Sequence, residues 1–199
     1  MLSVGGIGPG NIDYITAQVL KEIQRANKIL AFGRVGQSIK FLRDDFTVVT
    51  KVDQILDFLN EEDDVLILAS GDPMFFGIVD YIKKKNIKID KILPGLSSFQ
   101  YMMSKLQMPW QSASFISFHG RDLDFSEFYK SSLIVALVDK NNNPDFISKE
   151  LYKKGFRGSM HIGFNLSYED EKIIRLHIGD SVEIYSNLAV VVIENEMDS

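Results

Sequence analysis

Three glycine-rich segments of this sequence each follow an apolar run. They are residues 4–11 (VGGIGPGN), 69–77 (ASGDPMFFG) and 93–98 (LPGLSS). Glycine at the end of a strand lets the backbone approach a ligand closely and adopt a positive φ. Open parallel sheets bind their ligands at the carboxyl ends of strands. The three segments therefore indicate a small-molecule site built from loops.

Each segment taken alone also has a purely structural explanation. The first, with G-x-G-P-G at residues 6–10, departs from the G-x-G-x-x-G of dinucleotide-binding loops and can be a tight turn. In the second, Asp72 can cap a helix that starts at Pro73, and in the third Ser97 can be an N-cap. Three such loops in one parallel sheet would converge on the same edge, and this favours a shared site.

Strands and helices that alternate along the first half must position these loops. The run at 65–69 is continuously apolar, as in a sheet buried on both faces. The alternation predicts βαβ units and a mainly parallel sheet. The predicted strands are residues 2–7, 28–32, 65–69 and 89–93, and the predicted helices lie around 15–26, 52–59, 76–85 and 97–106.

The pattern changes around residues 108–110 (MPW), where proline interrupts a helix. A short acidic turn between the last two predicted strands indicates antiparallel pairs. We therefore predict two α/β domains, residues 1–111 with a mainly parallel sheet and residues 112–199 with a mixed one. The second domain's predicted strands are 115–118, 133–138, 160–164, 172–178 and 188–193, with a helix after residue 144.

Composition excludes several functional classes. The net charge of −5 argues against nucleic acid as a partner, and no apolar stretch approaches the roughly 20 residues of a membrane span. The absence of cysteine excludes disulfides and the usual zinc sites, and His161 and His177 lack ligand spacing, so we expect no protein-bound metal. A start without a signal peptide favours a cytoplasmic location.

The order of the motifs GxGPG, SGDPxxxG and PGxSS resembles the tetrapyrrole (corrin and porphyrin) methylases. Residues 117–121 (SFHGR) are similar to the S-x-H-G-R of the subfamily that methylates precorrin at C5. Residues 163–173 (GFNLSYEDEKI) look like its G-E-N-L-G-Y-P-x-E-R-I, with departures at Phe164, Ser167 and Glu169. The resemblance covers nearly the whole chain.

This resemblance implies a homodimer of two-domain subunits that bind S-adenosylmethionine in a cleft between the domains. It implies methylation at C5 of a cobalt-precorrin in cobalamin biosynthesis, with a separate C15 methyltransferase and decarboxylase as a possible partner. The substrate's carboxylates need local positive charge, for which Arg121 and the adjacent His119 are candidates. The positions that match the family's cofactor contacts are Pro9, Ser70, Gly71, Asp72, Phe75, Ser97, Ser98, Val138, Gly163 and Leu188.

Methyl transfer from a sulfonium to carbon needs alignment of the reactants rather than a general base. We therefore expect no discrete catalytic residue, and no paired carboxylates or Ser/His/Asp set stands out in the sequence. The alternatives are methylation of another ring position, the diphthine branch of the same fold, and a non-catalytic cofactor-binding scaffold for a separate C15 methylase. A nucleotide-binding oxidoreductase is disfavoured by the glycine spacing.

Overall fold

The computed structural model describes residues 1–51, 53–58, 64–118 and 125–196. The chain divides into two compact α/β units, Met1–Ser98 and Phe99–Ser199. This division lies before the boundary near residue 111 expected above, because the helix that begins at Ser98 carries Phe99, whose ring packs against Phe115 of the second unit. The division places nearly all of that helix in the second unit.

The first unit is built on a parallel sheet, as its alternating elements predict. Within the described residues, five strands lie in the order β3-β2-β4-β1-β5, and each neighbouring pair is parallel. The strands are β1 (Leu2–Gly6), β2 (Lys28–Phe32), β3 (Thr47–Val49), β4 (Val65–Ala69) and β5 (Lys91–Leu93). The helices are α1 (Ala17–Arg25), α2 (Val35–Ile39), α3 (Asp53–Leu56), α4 (Ile78–Lys84) and α5 (Ser98–Leu106), of which α5 belongs almost wholly to the second unit.

Both faces of the first sheet are buried. On one face Leu66 and Leu68 of β4 share a core with Val19 and Ile23 of α1. On the other face the intervening β4 residues, Val65 and Ile67, share a core with Val79 and Ile82 of α4. Alternate side chains of a strand point to opposite faces, so a continuously apolar strand is what this double burial requires.

The order of strands places β1 between β4 and β5. After β1 the chain continues to β2, toward the edge of the sheet formed by β3. After β4 it continues to β5, which forms the opposite edge. The connections therefore reverse direction between β4 and β1, and in open α/β sheets the crevice for a ligand forms at the carboxyl ends of strands at such a reversal.

The second unit contains a mixed sheet, also as predicted. In the part of the chain that the structure describes, its order is β6-β7-β10-β8-β9; β6 and β7 are parallel and the other neighbours antiparallel. The elements are β6 (Ser114–Ser117), β7 (Leu133–Leu137), α6 (Pro144–Lys153), β8 (Gly158–Phe164), β9 (Lys172–His177) and β10 (Ala189–Asn195).

The core of the second unit lies between this sheet and α6. Phe118, Phe128 and Phe164 are almost completely buried there, together with Ile147 and Leu151 of α6. Among the helices that the structure describes in either unit, none is long and apolar enough to cross a membrane.

Candidate functional site

The loops that follow β1 and β4 are hydrogen-bonded to each other. The N–H of Gly71 donates to the carbonyl oxygen of Gly8 at 2.7 Å, and the N–H of Gly8 donates to the carbonyl oxygen of Gly71 at 3.3 Å. Both residues have positive φ, 85° at Gly8 and 65° at Gly71, in the region where glycine avoids a Cβ clash. The prediction that these loops meet at one sheet edge is confirmed.

The loop after β5 joins the same junction. A Cβ atom on Gly95 would lie 2.2 Å from the carbonyl oxygen of Gly71, and one on Gly6 would lie 2.4 Å from that oxygen. Both distances are far inside van der Waals contact, so glycine is required at positions 6 and 95 by the packing of one loop on another. All three glycine-rich loops therefore form one structural unit at the carboxyl ends of β1, β4 and β5.

Asp72 links two of these loops through its carboxylate. Its Oδ1 accepts the N–H of Met74 at 2.7 Å, and its Oδ2 accepts the N–H of Gly95 at 3.2 Å. The alternative that Asp72 caps a helix beginning at Pro73 is wrong, because α4 begins at Ile78 with Gly77 as its N-cap residue. Asp72 instead closes the turn before the helix and ties it to the loop after β5.

The residues proposed to contact a cofactor in the first unit differ in their accessibility. Ser70 is exposed, Phe75 is half-buried and Ser97 is buried. A Cβ on Gly71 would meet Ser97 Cα at 3.7 Å, an ordinary contact, so the backbone angle and not crowding calls for glycine at position 71. The structure thus brings together Pro9, Ser70, Gly71, Asp72, Ser97 and Ser98 at the junction of the three loops.

Phe75 lies in the turn that Asp72 closes. Its ring stacks edge-on against Phe76, with ring centroids 4.8 Å apart. Phe76 has a φ of 48°, which is uncommon for a residue with a bulky side chain. Strained backbone of this kind concentrates at ligand sites, and it was not foreseen from the sequence.

The positions proposed in the second unit lie near one row of its sheet. Leu137 pairs with Val190, which in turn pairs with Gly163. Val138 follows Leu137 directly, and its side chain is buried in the phenylalanine-rich core, where it is not available to a ligand. The carbonyl oxygen of Leu188 accepts the N–H of Asn165 at 3.1 Å, which ties Leu188 to the end of β8.

Gly163 is also explained by packing within the second unit. A Cβ there would lie 2.5 Å from Leu166 Cδ2 and 2.7 Å from Met102 Sδ. A glycine at this position therefore lets α5 and the segment after β8 approach the sheet. The contact with Met102 of α5 is long-range in sequence and gave no signal in the motif itself.

The segment between β8 and β9 is held by a carboxylate that sequence reasoning did not single out. Glu171 Oε2 accepts the N–H of Ser167 at 2.6 Å, and its Oε1 lies 3.3 Å from Lys105 Nζ. Burial, followed by the hydrogen bond to Glu171, raises the pKa of Tyr101 to about 12. Tyr101 and Lys105 are one helical turn apart on α5, a spacing that could have indicated a shared partner.

Burial opposes ionisation of Glu171, but the hydrogen bonds from Tyr101 and from the Ser167 N–H, with Lys105 nearby, outweigh it. Together they hold the pKa of Glu171 below its usual value. Glu171 is therefore an ionised, half-buried carboxylate at neutral pH.

One departure from the family motif has a structural consequence. Ser167 stands where the motif has glycine, and its φ is 71°. Glycine adopts this backbone without strain, whereas serine does so at a cost. The proposed substrate contacts His119 and Arg121 lie outside the described residues.

The comparisons with known proteins agree with this architecture. The family model described as Tetrapyrrole (Corrin/Porphyrin) Methylases matches residues 1–181. The cobalt-precorrin-7 C(5)-methyltransferase of Salmonella typhimurium is 29% identical over 200 residues, a match that covers 98% of this chain and 99% of that protein.

Solved structures of similar fold cover nearly all of the chain. A cobalamin-biosynthesis precorrin-6Y methylase from Archaeoglobus fulgidus superposes with a TM-score of 0.79 at 21% identity and covers 99% of both chains. A uroporphyrin-III C-methyl transferase from Thermus thermophilus, solved in complex with S-adenyl homocysteine, has a TM-score of 0.76 at 19% identity and covers 97% of both. With the family model spanning most of its length, this chain belongs to the tetrapyrrole (corrin/porphyrin) methylases.

Proposed function

We propose that this chain transfers a methyl group from S-adenosylmethionine to C5 of a cobalt-precorrin ring in cobalamin biosynthesis. The observation that carries the proposal is the full-length similarity to a cobalt-precorrin-7 C(5)-methyltransferase. The SFHGR segment at residues 117–121 supports the C5 position, since it resembles the corresponding segment of that subfamily.

The residues at the junction of the three loops fit an adenosyl cofactor. The hydroxyl groups of the exposed Ser70 and the half-buried Ser98 offer partners for ribose and amino-acid groups, and the half-buried Phe75 offers an apolar surface for a purine. A complex of a relative with S-adenyl homocysteine supports the choice of cofactor. We propose as cofactor contacts the ten positions that match the family's, namely Pro9, Ser70, Gly71, Asp72, Phe75, Ser97, Ser98, Val138, Gly163 and Leu188.

The proposed reaction requires the protein to align the methyl group with the ring carbon. S-adenosylmethionine, when bound, supplies a methyl group on a sulfonium, a strong electrophile. The rigid loops then need to orient this methyl group toward the ring carbon, and orientation of this kind can contribute roughly 7–11 kcal/mol. Both carboxylate oxygens of Asp72 accept backbone N–H groups, so Asp72 acts in the proposal by keeping the loops rigid.

The substrate side and the assembly are also proposals. We propose that Arg121, with His119 beside it, binds substrate carboxylates, because the chain carries a net charge of −5 and needs a local cation for a polyanionic ring. We also propose a homodimer, with a separate C15 methyltransferase as a possible partner.

The test is calorimetric titration with S-adenosylhomocysteine, with NAD as the control ligand, followed by incubation with S-adenosylmethionine and a cobalt-precorrin. We expect saturable binding near one site per chain, no NAD signal, and a product one methylene heavier, with the methyl group at C5 by NMR. Methylation elsewhere on the ring would favour the alternative that the protein methylates another ring position. Cofactor binding without turnover would favour the scaffold alternative.

A further inference from the structure

The turn between β8 and β9 has a strained backbone. Within residues 165–171, called here the β8–β9 turn, Asn165 has a φ of 45° and Ser167 a φ of 71°. Serine at such a φ costs on the order of 1 kcal/mol or more and persists only where its surroundings enforce it, whereas asparagine adopts this region more readily. The strained backbone of Ser167 indicates that contacts hold this turn in one shape.

Hydrogen bonds at both ends of the turn enforce this shape. Asn165 donates its backbone N–H to Leu188 O at 3.1 Å and its side-chain N–H to Asp170 Oδ2 at 2.7 Å. Tyr168 N–H donates to Asn165 O at 3.0 Å. These bonds act within the turn or join it to the start of β10.

Glu171 connects the turn to another element of the second unit. Its carboxylate accepts the Ser167 N–H, the amide of one strained residue, at 2.6 Å. The same carboxylate pairs with Lys105 at 3.3 Å and hydrogen-bonds with Tyr101, both on α5. Glu171 thus links the β8–β9 turn to α5.

The turn adjoins the backbone that the proposed function assigns to the cofactor. It starts two residues after Gly163, and its first amide bonds to Leu188. A change in its shape would therefore act on Leu188 through this hydrogen bond and on Gly163 through the adjoining residues of the chain. The contacts of Glu171 keep that backbone in place before any ligand arrives, which lowers the conformational cost of binding.

We infer that Glu171 is a positioning residue for the cofactor: it holds the β8–β9 turn so that the backbone of Gly163 and Leu188 is preorganised. The inference rests on the proposed function, because it assumes that these two positions line the cofactor site. Glu171 itself is not assigned a contact with the cofactor.

The experiment compares Glu171→Ala and Glu171→Gln with a matched control. Asp145 is a suitable control, because it too accepts a backbone N–H, from Val182 at 2.9 Å, and pairs with a lysine, Lys149 at 2.7 Å. It lies at the start of α6 and not in the β8–β9 turn. The measurements are the dissociation constant for S-adenosylhomocysteine by calorimetry and the free energy of unfolding in urea, on the full-length chain.

Glu171→Ala leaves the Ser167 N–H without its acceptor, and we expect it to raise the dissociation constant about tenfold. Glu171→Gln retains an acceptor for that N–H and is expected to recover most of the affinity. Asp145→Ala should lose a similar free energy of unfolding but bind S-adenosylhomocysteine within about twofold of the wild type.

Four results would overturn the inference. Equal losses of affinity in Glu171→Ala and Asp145→Ala would make the effect one of general stability, and no recovery in Glu171→Gln would exclude the Ser167 hydrogen bond as its cause. Unchanged affinity in Glu171→Ala, with a wild type that binds, would overturn the inference and leave the proposed function intact. A wild type that does not bind S-adenosylhomocysteine would overturn both.

Discussion

Asp72 accepts a hydrogen bond from the backbone N–H of Gly95, 23 residues further along the chain, at 3.2 Å. The bond joins the turn after β4 to the loop after β5, although β1 lies between those strands in the sheet. A single carboxylate thus ties together loops that have no pairing through their own strands. The proposed cofactor site depends on this connection for its shape.

Replacing Asp72 by alanine is expected to weaken cofactor binding. The N–H groups of Met74 and Gly95 would both lose their acceptor; the exposed Met74 N–H can bond to water instead, whereas the part-buried Gly95 N–H would be left unsatisfied, at a cost of about 1–3 kcal/mol. Calorimetry with S-adenosylhomocysteine should show an affinity at least about tenfold lower. An unchanged affinity would remove Asp72 from the proposed site.

The close approach of the loops predicts that Gly95→Ala is strongly destabilising. Its Cβ would lie 2.2 Å from Gly71 O, so the loops must separate, and we expect a loss of about 3 kcal/mol or more in urea unfolding. Gly33→Ala is the control, since a Cβ there meets nothing within 4 Å and only its φ of 62° opposes the change. The control should lose about 1 kcal/mol; equal losses would contradict the packing explanation.

Relief of strain predicts that Ser167→Gly is stabilising. Glycine adopts the φ of 71° without a Cβ clash and keeps the N–H that Glu171 accepts. We expect the free energy of unfolding to rise by up to about 1 kcal/mol, partly offset by the greater freedom of glycine in the unfolded chain. A lower urea midpoint at unchanged slope would contradict this prediction, because relief of strain would then not be the dominant effect.

The environment of Tyr101 predicts a loss of stability in alkali. Burial, then the Glu171 carboxylate, raises its pKa to about 12 from an ordinary value of 10.0. A raised pKa means that the folded state holds the proton more tightly, so this contribution is complete below pH 10 and is lost as pH rises toward 12. The free energy of unfolding in urea should fall over that interval more in the wild type than in Tyr101→Phe. Parallel plots of this free energy against pH for the two proteins would contradict the assignment.

Replacing Arg121, the proposed substrate-binding cation, should weaken substrate binding without affecting cofactor binding. Arg121→Ala is expected to raise the apparent KM for the cobalt-precorrin, because a guanidinium that pairs with a carboxylate is lost. The affinity for S-adenosylhomocysteine should stay the same. If cofactor binding were lost instead, the assignment of Arg121 to the substrate would be wrong.

Local patterns in the sequence were sufficient for most of the elements, though not for α2 and β3, and for the meeting of the loops. A continuously apolar β4 required burial on two faces, and three strand-end loops of one parallel sheet had to share an edge. The role of Asp72 was harder to predict, since its Gly95 partner lies on another loop.

The contacts of Glu171 were not foreseeable from local patterns either. Its bonds to Tyr101 and Lys105 join positions far apart in the sequence, and one sequence carries no pattern for such pairs. The short strand β3 lacks an apolar run long enough to stand out, and Thr47 and Val48 are exposed. Long-range polar contacts and short edge strands are the features that local periodicity does not encode.

The interior position of β1, between β4 and β5, imposes an order on the folding of the first unit during synthesis. The strand at residues 2–6 is synthesised before the other strands of its sheet, and its partners begin only at Val65 and Lys91. Until β5 has been made, β1 has an unfilled side and its apolar residues lack one of their neighbours. The first unit can therefore complete its sheet only late in its own translation, and β1 remains unpaired with β5 during that interval.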